Sequence, residues 1–345
     1  MTTSRPGRAT LATIAQAAGV SIATVSKVVN GRDDVSPGTR AMVEELLRRH
    51  YYTGRGGTRQ PTVEVVFAGP LAAYSNEVLE GVLRAAAEPP GVAVMLSKGR
   101  TGIDTGAGAP VTPTSWALGV AKAGRSAVIS VSNEMTVEDA TALAGANVPL
   151  VVIDPLTPAG ADVTSVGATN YAGGISAAEH LLSLGHTRVA YLGGDLEAGC
   201  NQARWQGFRS TLETAGHPVR DDLVLHETFR YAAGVAAGGA LLDRQHPPTA
   251  VFAGSDEIAV GLIEACRRRG VRVPEDLSVV GFDDTQLAEF CSPPLTVVRQ
   301  PLREMGRVAL RTALRLAAGA SVDSHHVELA TSLVVRASTA APRQR

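Results

Sequence analysis

The chain has few of the residues that stabilise small secreted proteins or span membranes. Its 345 residues include only three cysteines, Cys200, Cys266 and Cys291, and aromatic residues make up 4% of the composition. Because these cysteines lack metal-ligand spacing, they predict neither a disulfide framework nor a zinc site, and they favour a reducing compartment. No apolar run approaches the roughly 20 residues that cross a bilayer, and no apolar signal segment opens the chain. We therefore expect a cytoplasmic protein without membrane contact.

The chain also lacks the short motifs of several enzyme classes. It contains no G-x-S-x-G elbow, no G-x-x-x-x-G-K-[ST] phosphate loop and no H-E-x-x-H helix. His325 and His326 are adjacent, and neighbours on a strand point to opposite faces, which disfavours a shared metal. We expect no catalytic residue, no metal and no cofactor. An enzyme that carries a regulatory head is the alternative, and a turnover assay on a bound ligand would distinguish it.

What the chain does have is a helix, a turn and a second helix between Thr10 and Gly31. Apolar residues recur at helical spacing in the first helix, Gly19 can end it in a left-handed conformation, and Ser21 can cap the second. A third helix is expected from Ser36, with Pro37 at its first position. The second helix leaves one face for DNA, made of Ile22, Ala23, Ser26, Lys27 and Asn30.

The charge distribution supports a nucleic-acid partner for this head. Residues 1–60 carry nine Lys or Arg against four Asp or Glu, whereas the rest of the chain carries 23 against 29. A basic head on an acidic body is expected when only one part meets a polyanion. Two amphipathic helices joined by Gly-Val can also form an ordinary corner of a helical domain, and this charge asymmetry argues against that alternative.

The head resembles the lac repressor and galactose repressor family of bacterial transcription regulators. Its signature T-x-x-x-x-A-x-x-A-G-V-S-x-x-T-V-S-x-V-x-N is matched without a gap from Thr10 to Asn30. The resemblance implies that Ile22, Ala23 and Lys27 face bases, with Lys27 able to donate to guanine O6 or N7. With two arginines of the following linker, the predicted DNA-binding residues are Thr10, Ser21, Ile22, Ala23, Thr24, Ser26, Lys27, Asn30, Arg55 and Arg59.

The linker at residues 52–61 departs from this family. In the family this segment commonly forms a hinge helix whose leucine inserts into the minor groove. Here Gly54, Gly56 and Gly57 disfavour helix, and no leucine is present. Arg55 and Arg59 can still reach a phosphate or a narrow minor groove, and a flexible basic tether is the alternative. We expect the hinge to order weakly and to bend DNA less than is usual.

From Val63 onward, short β-rich runs alternate with helical stretches, and the pattern restarts after residue 160. This alternation predicts parallel strands with crossover helices in two similar lobes. The resemblance implies the same fold, an all-α helix-turn-helix domain followed by a two-lobed α/β domain like that of periplasmic binding proteins. The expected boundaries are 1–51 for the head, 62–160 plus 294–322 for the N-terminal lobe, and 161–293 plus 323–337 for the C-terminal lobe.

Polar residues follow several predicted strands, where folds of this kind bind small ligands. Asp154, Ser255, Asp256, Asp283 and Asp284 all occupy such positions. Asp256 and Asp284 can instead cap the helices that follow them. Similarity to the family places Asp154, Arg204, Ser255 and Asp283 at effector-contacting positions and Phe229 where an aromatic ring stacks on a sugar. The predicted effector-binding residues are completed by two aromatic residues of the N-terminal lobe: Tyr74, Trp116, Asp154, Arg204, Phe229, Ser255 and Asp283.

The resulting hypothesis is a homodimeric repressor that binds palindromic operator DNA and responds to a small sugar such as a pentose or an oligosaccharide. Blocks of the body such as SVGATNYAGG, FAGSD and VRQPLREMGR most resemble those of actinobacterial regulators of xylose or plant-oligosaccharide use. The resemblance places Ser255 where many sugar-responsive members of the family carry Asn, so it does not identify a particular sugar as the ligand of this chain. A purine or other corepressor is the alternative effector, because the sequence does not fix the sign of the response. The tail after Arg336 contains no heptads, so we expect no tetramerising coil.

Overall fold

The computed structural model describes residues 11–29, 32, 34–49, 60–99, 111–132, 135–155 and 162–343. These residues divide into two compact units, 1–60 and 61–345. The linker residues Arg55 and Arg59, together with Thr10 and Asn30 of the head, lie outside the described residues.

The first unit is built around a small apolar core shared by three helices: α1 (Leu11–Ala18), α2 (Ile22–Val29) and α3 (Pro37–Arg49). The core consists of Ile14, Ala15, Ala18, Val25, Val28 and Val43. Small alanines on α1 let the helices approach closely.

The turn between α1 and α2 follows the sequence prediction. Gly19 has a φ of 63°, and the amide of Val20 donates to the carbonyl of Ala15 at 3.0 Å. The Ser21 hydroxyl accepts from the amide of Thr24 at 3.0 Å, and Ser36 caps α3 in the same way. The predicted left-handed turn and both caps are therefore confirmed.

The second unit contains two parallel-type sheets of six strands each. The strands are β1 Thr62–Phe67, β2 Ala93–Lys98, β3 Ala127–Val131, β4 Leu150–Ile153, β5 Thr164–Ala168, β6 Val189–Gly193, β7 Val224–His226, β8 Ala250–Ala253, β9 Ser278–Asp283, β10 Thr296–Arg299, β11 His326–Leu329 and β12 Ser332–Val334. The first sheet has the order β2-β1-β3-β4-β5-β11, and the second has the order β7-β6-β8-β9-β10-β12. Among the described strands, all pairings are parallel except that of β12 with β10.

Helices cover both sheets, as crossover connections require. They are α4 Ala73–Ala86, α5 Pro113–Lys122, α6 Val137–Gly145, α7 Asn170–Ser183, α8 Gly199–Thr214, α9 Tyr231–Leu242, α10 Asp256–Arg268, α11 Gln286–Phe290 and α12 Leu302–Ala317. The central strands β3, β4 and β8 are buried along their whole length, because helices shield both of their faces. The predicted repetition of one α/β pattern in two lobes is confirmed by the matching strand orders.

The chain crosses between the lobes a few residues later than the expected boundaries. Those boundaries follow residues 160, 293 and 322, whereas the chain crosses after β5, after β10 and after β11. Strand β5 pairs with β4 and belongs to the N-terminal lobe, β10 pairs with β9 in the C-terminal lobe, and β11 pairs with β5. The lobes are therefore 62–168 with 302–329 and 170–299 with 332–343. Pairing between distant strands decides this boundary, and local patterns do not record it.

Helices α7 and α8 pack through two glycines that face each other's backbone. A Cβ on Gly174 would lie 2.2 Å from the carbonyl oxygen of Arg204, and a Cβ on Gly207 would lie 2.0 Å from the carbonyl oxygen of Tyr171. Both obstructing atoms belong to helical backbone, which cannot move without shifting a whole helix. This close packing of α7 against α8 sets the position of Arg204, which lies on α8, within the C-terminal lobe.

We expect Gly207→Ala to lower the free energy of unfolding by about 1–3 kcal/mol, because the added methyl group forces the two helices apart. Urea denaturation of both proteins would measure the change. Gly145→Ala is the matched control, since Gly145 ends α6 and a Cβ there meets nothing within 4 Å. Equal stability of Gly207→Ala and the unmodified chain would contradict this account of the packing.

Candidate functional site

A cleft of about 310 Å³ lies between the two lobes at the carboxyl ends of their strands. Its walls come from the segments after β1, β3 and β4 on one side and after β6, β7, β8 and β9 on the other. Of the seven predicted effector-binding residues, the cleft brings together Tyr74, Asp154, Arg204, Phe229, Ser255 and Asp283. Its volume lies near the lower end of the roughly 300–1,000 Å³ that small-molecule sites occupy.

Arg204 is the main cation of the cleft and is only 3% exposed. Its Nε donates to Oδ1 of Asn170 at 2.8 Å, and its Nη1 donates to the carbonyl of Gly254 at 2.6 Å. The same Nη1 lies 3.8 Å from Oδ1 of Asp283, and the guanidinium lies 3.8 Å from the centroid of the Phe282 ring. These contacts engage Nε and Nη1 and hold the guanidinium in a fixed orientation at the wall of the cleft.

Asp283 ends β9 with a φ of 109°, a conformation that few non-glycine residues adopt. Gln300 donates from Nε2 to its Oδ1 at 2.6 Å. Burial raises the pKa of the Asp283 carboxyl to about 7, although Arg204 and Gln300 act in the opposite direction. The carboxyl group therefore changes its charge near neutral pH.

Asp154 and Tyr74 form a pair on the opposite wall. The Tyr74 hydroxyl donates to Oδ2 of Asp154 at 2.5 Å, and Asp154 has a φ of 43°. Burial raises the pKa of both groups, and the negative charge of Asp154 raises that of Tyr74 further. The phenol stays neutral, so the pair presents a carboxylate oxygen and an aromatic face to the cleft.

Of the residues at these strand ends, Ser255 caps a helix, whereas the alternative that Asp256 and Asp284 are helix caps is not observed. Ser255 is the N-cap of α10, and its hydroxyl accepts from the amide of Ile258 at 3.2 Å. Asp256 instead accepts from the amide and hydroxyl of Thr285, at 2.7 and 2.9 Å. Asp284 forms ion pairs with two arginines, Arg299 at 2.5 Å and Arg336 at 2.6 Å. Neither aspartate caps a helix.

Phe229 supplies an aromatic wall beside the charged groups. Its ring is half-buried, lies 5.8 Å from the guanidinium carbon of Arg204, and covers Gly194, where a Cβ would come within 2.3 Å of the ring. A flat apolar surface next to polar groups suits a sugar ring, which has apolar C–H faces and polar edges.

Trp116 does not lie with the other predicted residues. It is fully buried in the apolar cluster between α5, α6 and the N-terminal sheet, among Val66, Val128 and Leu143. The expectation that it closes the cleft is therefore corrected. Its large ring belongs to the buried face of α5, where it fills the core.

Several cleft residues carried no signal that single-sequence reasoning could use. Asn170 and Gln300 hold Arg204 and Asp283 from distant positions in the chain. Arg230 lines the cleft near Glu257, at 3.7 Å, and its Nη2 would lie 3.5 Å from a Cβ on Gly69 of the other lobe. The sequence signal for Arg230 is its position directly after Phe229, a predicted effector-binding residue.

The predicted DNA-facing residues of α2 lie on its outer surface. Ile22 is 53% exposed, Ala23 and Lys27 are also exposed, and Thr24 and Ser26 are partly exposed. Val25 and Val28 point into the head. A solvated stripe opposite a buried stripe is the arrangement that a helix needs to enter the major groove.

The described residues contain no group of three or more His, Cys, Asp or Glu side chains arranged to hold a metal ion. In the same part of the chain, no single helix is long and apolar enough to span a membrane; one pair bent by 103°, Leu11–Ala18 with Ile22–Val28, meets the length and composition alone.

Comparisons with known proteins agree with both units. Residues 10–54 match the family described as bacterial regulatory proteins, lacI family, and residues 178–339 match a periplasmic binding protein-like domain. The HTH-type transcriptional regulator DegA of Bacillus subtilis (strain 168) is 34% identical, with 96% of this chain and 98% of DegA covered. The HTH-type transcriptional regulator CelR of Thermobifida fusca is 35% identical, with 97% and 99% covered.

Solved structures show the same fold over nearly the full length. A complex of the transcriptional regulator CelR with cellobiose has a TM-score of 0.71 at 33% identity and covers 96% of this chain and 100% of that one. The lac repressor dimer bound to operator and the anti-inducer ONPF has a TM-score of 0.76 at 26% identity, covering 97% and 100%. The chain therefore belongs to the lacI family of bacterial regulatory proteins and is a DNA-binding transcriptional regulator rather than an enzyme.

Proposed function

We propose that this regulator is a repressor in the bacterial cytoplasm whose affinity for a palindromic operator changes when a neutral saccharide binds in the cleft. The observation that carries the proposal is the composition of the cleft. Arg204 and the carboxyl groups of Asp154 and Asp283 converge on one space, and the ring of Phe229 forms a wall beside them. Sugar hydroxyls need both donors and acceptors, and this set offers both next to an apolar surface.

The charge of the cleft favours a neutral ligand over a phosphorylated one. Its lining includes five acidic residues, Asp154, Asp195, Asp256, Glu257 and Asp283, whereas Arg204 and Arg230 are its basic residues among those that the structure describes. Arg204 already faces Asp283, and Arg230 lies near Glu257. A phosphate group would lie among these carboxyl groups and beside two arginines that already have acidic neighbours, and burying its charge there would be costly.

Exposed apolar side chains on the second unit support a dimer. Met95 and Leu96 are 44% and 45% exposed on β2, the edge strand of the first sheet, and Leu83 on α4 is 44% exposed. Phe290 in the C-terminal lobe is 77% exposed. Apolar groups on an open edge strand are typical of surfaces that another chain covers. A two-fold dimer would place two heads on the half-sites of a palindrome.

The coupling between ligand and operator follows from the position of the cleft. Each lobe contributes to its walls, and the lobes are joined where the chain crosses after β5, β10 and β11. A ligand that contacts both lobes stabilises one relative arrangement of them. We propose that this arrangement sets the separation of the two heads, so that operator and ligand affinities are reciprocally coupled.

A ligand panel tests the proposal. The chain is incubated with DNA from upstream of its own gene, and gel shifts are measured with cellobiose first, then other disaccharides, hexoses, pentoses, glucose 6-phosphate and purines. We expect at least one neutral saccharide to change the operator affinity about 5- to 150-fold, the usual range of allosteric coupling.

Two outcomes would contradict the proposal. One is a response to glucose 6-phosphate that exceeds the response to every neutral sugar. The other is an operator affinity that changes only with a purine, which would assign the cleft to a corepressor. Asp154→Asn serves as a control, because it should weaken the response to a saccharide without changing operator affinity in the absence of ligand.

A further inference from the structure

Helix α2, whose outer face carries the predicted base-contacting residues, forms an ion pair on that exposed face. Nζ of Lys27, at the end of α2, lies 2.6 Å from Oδ2 of Asp34 in the segment before α3. Both side chains are about half exposed, at 50% and 58%. The contact lowers the pKa of the Asp34 carboxyl, which therefore stays charged at neutral pH. The face that enters the major groove thus presents a carboxylate next to its ammonium group.

Arg32, two residues before Asp34, is held by hydrogen bonds that do not involve this pair. The amide of Arg32 donates to the carbonyl of Lys27 at 2.9 Å, and the guanidinium of Arg40 donates to the carbonyl of Arg32. These bonds hold Arg32 against the end of α2 and against α3. Removing the carboxylate of Asp34 therefore removes a charge and an acceptor without removing a support of the fold.

Both members of the pair keep unused hydrogen-bonding capacity. An ammonium group has three donors and a carboxylate has about four acceptor sites, and their mutual contact uses one of each. An exposed ion pair is weak, so the two groups can turn together toward a new partner. The pair therefore offers a donor and an acceptor side by side to the floor of the groove.

A G·C base pair presents the complementary arrangement. Guanine offers the acceptors N7 and O6, and cytosine offers the N4 amino donor beside them. O6 and N4 hydrogen-bond to each other and so lie about 2.9 Å apart, close to the separation of Nζ and Oδ2 in the protein. We infer that Asp34 is a specificity-determining residue, which accepts from cytosine N4 while Lys27 donates to guanine of the same base pair.

The carboxylate also acts against the wrong partners of Lys27. A lysine alone can donate to thymine O4, to adenine N7 or to a phosphate oxygen. With Asp34 beside it, binding to a phosphate brings two anions together, and an A·T pair in the same orientation places an acceptor opposite the carboxylate. Asp34 therefore restricts Lys27 to guanine, at some cost in overall affinity for DNA.

Selection from a pool of duplexes with a randomised 20-base-pair core tests this assignment. The full-length chain, Lys27→Met, Asp34→Ala and Asp243→Ala are each used to select DNA, and base preferences are compared by position. The position that Lys27 reads is the one whose preference Lys27→Met loses. We expect the unmodified chain to prefer G·C there, and Asp34→Ala to lower that preference over A·T by at least about fivefold.

Asp243→Ala is the matched control, because Asp243 is 62% exposed and pairs with Arg269 at 2.6 Å in the C-terminal lobe. It should leave every position unchanged. The inference is overturned if Asp34→Ala strengthens binding to all duplexes by one factor while the G·C preference persists, since Asp34 would then be only a counter-charge. It is also overturned if Lys27→Met loses preference at no position.

Discussion

Replacing Arg204 with methionine is expected to abolish ligand binding in the cleft and to lower the free energy of unfolding by about 3–5 kcal/mol. Arg204 is 3% exposed and contacts three groups: Oδ1 of Asn170, the carbonyl of Gly254 and, at 3.8 Å, the carboxyl of Asp283. Methionine fills a similar volume but removes the donors to Asn170 and Gly254 and leaves the buried Asp283 carboxyl with the Gln300 amide and without its cation. Unsatisfied buried polar groups carry the full cost of their lost hydration.

Two further variants separate the ligand effect from the stability effect. Arg204→Lys keeps the charge but loses the planar fork, so we expect it to fold and still to bind ligand at least tenfold more weakly. Arg209→Met is the matched control on the same helix, because Arg209 is 56% exposed and pairs with Glu213 at 2.6 Å. Its stability should change by less than about 1 kcal/mol, with unchanged ligand affinity.

Urea denaturation and calorimetric titration with the saccharide found in the panel would measure both quantities. Ligand affinity of Arg204→Lys equal to that of the unmodified chain would show that the guanidinium does not contact the ligand. If Arg209→Met lowered the free energy of unfolding as much as Arg204→Met does, the burial of Arg204 would not be the cause of the destabilisation.

The elements of this protein were predictable where local sequence decides them. The three helices of the head, the turn at Gly19 and the caps at Ser21 and Ser36 were predicted, because these residues act within a few positions of themselves in the chain. The buried strands β3, β4, β6, β8 and β9 were also predicted, since each consists mainly of β-branched and other apolar residues.

The partition into lobes was not predictable in the same way. Strand β5 reads TSVGA and β11 reads HVEL, which are short and partly polar runs. Strand β5 joins the N-terminal sheet by pairing with β4, and β11 joins it by pairing with β5, about 160 residues away in sequence. No local period records which sheet such a strand joins.

The cleft shows the same division. Its strand-end residues were predictable because parallel strands bring their carboxyl ends to one edge. Their partners were not, since Asn170 lies 34 residues from Arg204 and Gln300 lies 17 residues from Asp283. Trp116 was misplaced because an aromatic residue on an amphipathic helix suits either a core or a ligand wall, and burial alone distinguishes the two.

Ligand affinity is expected to fall about tenfold between pH 8 and pH 6 because of Asp283. Burial raises the pKa of this carboxyl to about 7, so that it is mostly ionised at pH 8 and mostly protonated at pH 6. A carboxylate accepts a sugar hydroxyl more strongly than a neutral acid does, and the apparent affinity follows the fraction of chains in the ionised form. In Asp283→Asn this dependence should disappear, with weaker binding at pH 8.

The same residue should change stability with the opposite dependence on pH. The folded chain keeps a proton on Asp283 up to about pH 7, whereas an unfolded chain releases it near pH 3.9, so the contribution of this group to stability falls as pH rises between these values. Burial lowers the pKa values of His180, His186 and His226, which contribute a trend of the other sign. The quantity to measure is therefore the difference between the unmodified chain and Asp283→Asn, in urea at pH 5, 6 and 7.

As pH rises from 5 to 7, we expect the free energy of unfolding of Asp283→Asn to increase relative to that of the unmodified chain by up to about 1.4 kcal/mol for each pH unit. Asp222→Asn is the control, since its carboxylate is 42% exposed and pairs with Arg220 at 2.9 Å. It should show no shift between pH 5 and 7, because its lowered pKa lies below that interval. A ligand affinity that is constant from pH 6 to 8, together with a constant stability difference, would show that Asp283 is ionised throughout and that Arg204 outweighs its burial.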